Sequence, residues 1–123
     1  MTTTTQNIDL QLVPTYTHCM AHRNAEQIRT FVRQGAYSLK AHAHQRMTER
    51  NILTDDIESV IVLGEVVEEN LTNFPYPTST FMRYVRGQPL YAVCAFAHHR
   101  VFIVTVHWMD PDKWTDPWTR RKS

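Results

Sequence analysis

The sequence predicts an α+β fold, with N-terminal helices packed on a C-terminal antiparallel meander sheet of about four strands. One observation is a change in the spacing of apolar residues, from a helical period before Gly64 to a strand period of two after it. A second is that the breaks between the later apolar runs, RGQP at 86–89 and AHHR at 97–100, have the length of hairpin turns. Helices followed by a meander are expected to cover one face of the sheet.

Three helices are predicted from apolar residues that recur every three or four positions. In the first, Asn24 can cap the N-terminus and Gly35 ends the run. In the third, Thr54 can cap the N-terminus and Gly64 ends the run. The predicted helical segments are NAEQIRTFVRQ at 24–34, AHAHQRMTER at 41–50 and TDDIESVIVL at 54–63.

Strands are predicted where β-branched and aromatic residues dominate, at 65–71, 80–87, 89–97 and 100–108. AYSLK at 36–40 is interpreted as an extended link. Alternation along the last strand predicts which residues face the core and which share the opposite face with His107. The core-facing set is Phe102, Val104, Val106 and Trp108, and the opposite set is Val101, Ile103, Thr105 and His107. The expected core is Ile28, Phe31, Val32, Ile57, Val60, Ile61, Val93, Phe102, Val104 and Val106.

The 123 residues are predicted to form a single α+β domain over 24–123, preceded by an N-terminal tail or edge element over 1–23. The hydrophobic fraction of 42% and the charged fraction of 20% are typical of soluble globular proteins. The sequence has neither an apolar run long enough to span a membrane nor the pattern of a signal peptide. Cys19 and Cys94 form no CxxC pair, which is typical of a reducing compartment. We therefore expect a cytoplasmic protein without membrane association.

The net charge of only +1 argues against a protein built chiefly to coat nucleic acid. Ten of the 13 basic residues are nevertheless arginine, whose planar fork binds phosphate or carboxylate through two hydrogen bonds. This bias indicates a local cationic site amid acidic surroundings, although an arginine-rich genome would produce the same composition.

The second predicted helix carries the clearest candidate site. His42, Arg46 and Arg50 follow i, i+4, i+8 and therefore form one stripe along the helix. Arg46 and Arg50 repel each other by a few tenths of a kcal/mol, so something outside the helix is expected to offset that repulsion. A phosphate, an acidic partner or an acidic side chain of the fold would do so, and a salt-bridged solvent face is the alternative interpretation.

Two of the predicted strands add candidates. His107 lies at the end of the last strand, on its less apolar face, where it can border a cleft. Tyr84 and Arg86 share a face of the 80–87 strand, and these residue types can stack on a base and bind a phosphate. Ordinary strand packing is the alternative for all three residues.

No metal site and no cofactor are predicted. The histidines of HCMAH at 18–22 lack an acidic residue at a recognised ligand spacing, and the chain contains no HExxH motif. Three glycines cannot form a Gly-rich phosphate loop, and no GxSxG or Cys-His nucleophile motif is present.

The chain resembles a family of small bacterial proteins known as domain of unknown function 4258, over roughly residues 25–122. The motifs that carry the resemblance are HAHQRMTERNI, DDIESVIVLG, RGQPLYAVCAFA, VFIVTVHW and DPDKWTDPWTRRK. Asn51 replaces the glycine that usually follows the second Arg of the family's motif, and His107 replaces a common tyrosine. Asn is the next-best residue for a left-handed helix end, so the first departure is conservative.

This family is similar in layout to the metal-independent endoribonucleases that include the RelE-type toxins. The resemblance implies an RNA substrate, a toxin–antitoxin pair and an antitoxin partner with an acidic segment. On this interpretation the catalytic residues are His42, Arg46, Arg50 and His107, and the RNA-binding residues are Tyr84 and Arg86. His42 would transfer a proton with His107 or Tyr84 as its partner, while Arg46 and Arg50 would hold the phosphate. The alternative is a non-catalytic module that binds RNA or a protein, for which Trp108, Trp114 and Trp118 are available.

Overall fold

The computed structural model describes residues 16–72 and 76–120, which contain three helices and seven strands. In chain order these elements are α1 (Tyr16–Arg33), β1 (Ser38–Leu39), α2 (Ala41–Arg50), α3 (Thr54–Leu63), β2 (Glu65–Asn70), β3 (Thr78–Val85), β4 (Gln88–Ala97), β5 (Arg100–Trp108), β6 (Trp114–Asp116) and β7 (Thr119–Arg120). The predicted α+β class and the order of helices before strands are confirmed. In the described ranges no helix is both long and apolar enough to cross a membrane.

The main sheet has the strand order β1-β5-β4-β3-β2. The strands β2 to β5 form the antiparallel meander that was predicted. The segment interpreted as a link is extended, and two of its residues add a parallel edge strand in which Ser38 pairs with Phe102 and Leu39 with Ile103. Since β1 is so short, it covers only the first half of the outer edge of β5, and α2 packs along the second half.

The helices cover one face of this sheet and form the larger core with it. Six of the ten predicted core residues are buried, and Phe31 packs against this core from its edge. The six are Ile28, Val32, Ile57, Val60, Ile61 and Val106. Val93, Phe102 and Val104 are only partly buried, so their prediction as core residues was wrong.

A β-bulge explains the error on the last strand. Cys94 pairs with Ile103 but Val93 pairs with Thr105, so Val104 is an extra residue in β5. The extra residue shifts the alternation, and Val101 and Ile103 are therefore buried in the same core as Val106, contrary to prediction. Beyond the bulge the predicted faces hold.

The C-terminal segment folds back over the opposite face of the sheet. Met82 and Tyr91 are buried there under Trp114 of β6 and form a second, smaller core. The guanidinium of Arg120 donates two hydrogen bonds, of 2.9 and 2.8 Å, to the carboxylate of Glu68 in β2. Each face of the sheet is thus covered by a different part of the chain.

One predicted helix start and one predicted helix cap were wrong, whereas the predicted start of α3 at Thr54 is confirmed. The first helix begins at Tyr16 rather than at Asn24, whose side-chain amide donates to Ser79 Oγ at 2.8 Å instead of capping. At α3 the carboxylate of Asp56, and not Thr54, accepts the hydrogen bond from the N–H that precedes the helix.

The end of α2 is as predicted, because Asn51 adopts the left-handed conformation with φ 59° and ψ 46°. Residues 1–15 of the expected tail, residues 73–75 of the proline-containing loop and the basic tip at 121–122 lie outside the described residues. The domain division at residue 24 stays a prediction.

Candidate functional site

A cavity of about 340 Å³ lies between α2, the end of β5 and the C-terminal segment. Four of the six predicted site residues line it, namely His42, Arg46, Arg50 and His107. The remaining lining residues are Thr105, Trp108, Asp110, Lys113 and Arg120. The volume is in the range of small-ligand pockets, which begins at about 300 Å³.

The α2 wall is fixed by the apolar side of the helix. Ala43 is fully buried and Met47 packs against the larger core, which turns the i, i+4, i+8 stripe toward the free edge of β5. Within the stripe, Arg46 Nε lies 3.5 Å from His42 Nε2, and Arg46 Nη1 lies 3.8 Å from the carboxylate of Glu49. Both contacts are long, so neither strongly satisfies the guanidinium.

The opposite wall is built on a stack of rings. The imidazole of His107 stacks on Tyr91, and Tyr91 stacks on Trp114 with ring centroids 4.5 Å apart. The guanidinium of Arg120 lies over the ring of Trp114, 4.5 Å from the ring centroid. Because Tyr91 and Trp114 are buried, the plane of His107 is held in place.

The surroundings of His107 lower its pKa from 6.5 to about 4. Burial is the largest cause, and the positive charges of Arg120 and Lys113 follow, with a smaller effect from Arg46. Asp110 acts in the opposite direction. His107 is therefore neutral at physiological pH, and a bound anion would raise its pKa by offsetting these cations.

The cavity has an excess of positive charge, with four cationic side chains in its lining against the single carboxylate of Asp110. Glu68 binds Arg120 closely. Among the residues that the structure describes, Arg50 and Lys113 form no ion pair. These two cations are available for an anionic ligand, and phosphate is the group that such a set binds well.

The other two predicted residues lie outside the cavity lining. Tyr84 is 52% exposed on β3. Arg86 donates to the Asp56 carboxylate at 2.9 Å and to the carbonyl oxygen of Asn51 at 3.0 Å. The structure thus brings together the residues predicted on α2 and β5 but not the pair predicted on β3.

Sequence reasoning missed Thr105 and the cavity residues that follow β5. Lys113 belongs to the DPDKW motif, but nothing in the motif itself indicates that the segment folds back toward α2. Arg120 reaches the cavity because β7 lies across the sheet and its guanidinium is bound by Glu68. The only usable signal was a run of basic residues near the end of the sequence.

The sequence model of a family described as a domain of unknown function (DUF4258) matches residues 39–108, more than half of the chain. The chain belongs to this family. Comparisons with curated proteins and with solved structures gave no match. The DUF4258 match includes α2 and β5 but ends at Trp108, so Asp110, Lys113 and Arg120 come from outside the matched segment.

Proposed function

We propose that this DUF4258 protein is a metal-independent endoribonuclease and acts as the toxin of a toxin–antitoxin pair in the cytoplasm. The observation that carries the proposal is the lining of one cavity by two histidines and four cations. Histidine is suited to proton transfer near neutral pH, and arginine and lysine are suited to holding a phosphate.

Cleavage of RNA without a metal requires three contributions. A base removes the proton from the ribose 2′-OH, whose oxygen attacks the adjacent phosphorus. An acid protonates the 5′ oxygen as the P–O5′ bond breaks, and cations stabilise the negative charge of the phosphorane. The products are a 2′,3′-cyclic phosphate and a 5′-hydroxyl.

His107 is assigned as the base. Its imidazole is neutral before substrate binds, so it has a lone pair that can accept the 2′ proton. A bound phosphate partly cancels the charges of Arg120, Lys113 and Arg46, and this raises the proton affinity of His107 when substrate is in place.

His42 is assigned as the acid. The Nε atom of Arg46 lies 3.5 Å from Nε2 of His42, so a phosphate bound by Arg46 would lie within reach of this imidazole. His42 then donates a proton to the leaving 5′ oxygen, while Arg50 and Lys113 hold the phosphate.

The test is incubation of the purified protein with single-stranded RNA in the presence of a chelator. We expect cleavage that leaves a 2′,3′-cyclic phosphate, and no cleavage where the scissile nucleotide lacks its 2′-OH. Arg46→Ala should weaken both binding and cleavage, since a phosphate contact acts in the ground state and in the transition state. Arg46→Lys should restore little of either if the contact is bidentate. Cleavage of the 2′-deoxy substrate would rule out the proposed chemistry.

A second candidate is a non-catalytic RNA-binding module, and the low pKa of His107 favours it, because such a histidine is a weak base at pH 7. This candidate predicts that the protein binds RNA and that the RNA is recovered intact. Expression in a bacterial host separates the two further. A toxin arrests growth, and a partner with an acidic segment relieves this arrest. A binding module leaves growth unchanged.

A further inference from the structure

Arg86 connects three elements of the fold. Its guanidinium donates to Asp56 near the start of α3 and to the carbonyl oxygen of Asn51 at the end of α2. It also lies 5.6 Å from the ring centroid of Trp108, the last residue of β5. A carboxylate, a carbonyl and an aromatic face thus engage the guanidinium together.

Trp108 continues the connection to the cavity. Its indole Nε1–H donates to the backbone carbonyl oxygen of Arg50 at 3.2 Å, and its side chain lines the cavity. The carbonyl oxygens of Arg50 and Asn51 are among the groups that a helix end leaves without intrahelical partners. Trp108 and Arg86 therefore hold two successive peptide groups at the end of α2 by hydrogen bonds to their carbonyl oxygens.

We propose that Arg86 is a positioning residue, which acts through Trp108 and the end of α2 to hold Arg50 at the cavity. For its effect on catalysis this inference rests on the proposed function, but its effect on Arg50 does not. It also replaces the role predicted from sequence, in which Arg86 touches RNA, because Arg86 does not line the cavity and its guanidinium already has three partners.

The position of Arg50 on the helix explains why its backbone needs additional contacts to stay ordered. It is the last residue of α2, where the helix would otherwise fray, and it is exposed. It also lies four residues from Arg46, which repels it. An ordered backbone at this point restricts the positions that the Arg50 guanidinium can occupy. More of these positions are then at the cavity, and the affinity for an anion rises.

A double-mutant cycle between Arg86 and Arg50 tests the inference. The measurement is the affinity for a 2′-deoxy oligonucleotide, which the proposed chemistry cannot cleave, or for inorganic phosphate. Arg86→Gln should weaken binding by about tenfold in the wild-type background and by much less in the Arg50→Ala background, because neighbouring groups that act together are non-additive. Equal effects of Arg86→Gln in both backgrounds would mean that Arg86 touches the ligand directly, and would overturn the proposal.

Two variants separate positioning from charge and from folding. Arg83→Gln removes an exposed cation from β3, the strand that ends just before Arg86, and should change the affinity by less than Arg86→Gln. Trp108→Phe keeps an aromatic ring for Arg86 but removes the Nε1–H, and should reproduce part of the Arg86→Gln effect. Equal losses in Arg83→Gln and Arg86→Gln would indicate a general charge effect and would also overturn the proposal.

A readout without any ligand keeps the inference distinct from the proposed function. In nuclear magnetic resonance spectra, the indole N–H of Trp108 should exchange with solvent about tenfold faster in Arg86→Gln than in wild type, if Arg86 holds this ring against α2. An unchanged Trp108 resonance and exchange rate would refute the positioning role, even if the protein cleaves RNA. A changed resonance in a protein that cleaves no RNA would support the positioning role and leave only the proposed function refuted.

Discussion

The imidazole of His107 lies almost parallel to the phenol ring of Tyr91, with ring centroids 5.2 Å apart and an interplanar angle of 12°. The two residues are directly paired across β4 and β5. The stack buries His107 beside the cations of the cavity, and it therefore links the protonation of this histidine to the stability of the fold.

The free energy of unfolding should fall when the pH is lowered from 6.5 to about 4. In that window the His107 imidazole binds a proton in the unfolded chain but not in the folded one, because its folded pKa is about 4. The unfolded state then binds more protons, so stability rises with pH through the window and is fully present above 6.5. The contribution of His107 reaches about 3 kcal/mol, as an order of magnitude. Urea denaturation at pH 7.5, 5.5 and 4.5 measures it.

Carboxylates also titrate in that window, so His107→Gln is the matched control. The free energy of unfolding of the wild type, relative to that of His107→Gln, should decrease as the pH is lowered from 7.5 to 4.5. Only the wild type contains the histidine of lowered pKa. A difference that stays constant between pH 7.5 and 4.5 would show that neither burial nor the neighbouring cations lower the pKa of His107 in the folded protein.

His42→Ala should slow RNA cleavage by about 10²–10⁴-fold if His42 transfers a proton. His44→Ala is the matched control, since His44 is an exposed histidine of the same helix that does not line the cavity. The measurement is single-turnover cleavage of one RNA by both variants. Similar rates for the two variants would remove His42 from the mechanism.

Arg50→Ala should reduce the salt dependence of oligonucleotide binding. Each contact with a phosphate of a single strand contributes about −0.7 to the slope of log K against log salt concentration, so the slope should become shallower by about that amount. Arg33→Ala should leave the slope unchanged, because Arg33 is also the exposed last residue of its helix but lies outside the cavity. An equal change in both variants would indicate attraction by net charge alone.

His99→Gly should raise the free energy of unfolding by about 1 kcal/mol. His98 and His99 form a two-residue turn between β4 and β5 with φ of 53° and 58°, a conformation that favours glycine at the second position. The matched change in the other hairpin is Gly87→Ala, which should lower stability by a similar amount. At Gly87, φ is +83° and an added Cβ would meet no heavy atom within 4 Å, so only the backbone conformation opposes the change. Thermal denaturation tests whether His99→Gly is more stable, and Gly87→Ala less stable, than the wild type.

What the sequence could predict of the site depended on local geometry. The stripe of His42, Arg46 and Arg50 follows from the helical period alone, and the left-handed end at Asn51 follows from the preference of that residue. These features need no knowledge of what packs against the helix, and the structure contains them.

The remaining features depend on long-range pairing. The bulge at Val104 exists only in the register between β4 and β5, so simple alternation assigned Val101 and Ile103 to the wrong face. The fold-back of Arg120 onto Glu68 joins residues that lie far apart in sequence. Arg86 was predicted as an RNA contact from its residue type alone. The sequence does not reveal that Asp56 and the carbonyl oxygen of Asn51 accept hydrogen bonds from its guanidinium.

The separate core beneath the C-terminal segment has a consequence for local opening. It contains far fewer buried side chains than the helix-covered core, and within the described residues the buried Nε1–H of Trp114 has no hydrogen-bond partner. A small core with an unsatisfied donor favours sub-global opening, in which β6 and β7 detach at a lower free energy than complete unfolding requires. Such an opening carries Lys113 and Arg120 away while α2 stays packed. Amide exchange in this segment would then report how often the cavity loses the residues that the C-terminal segment contributes to it.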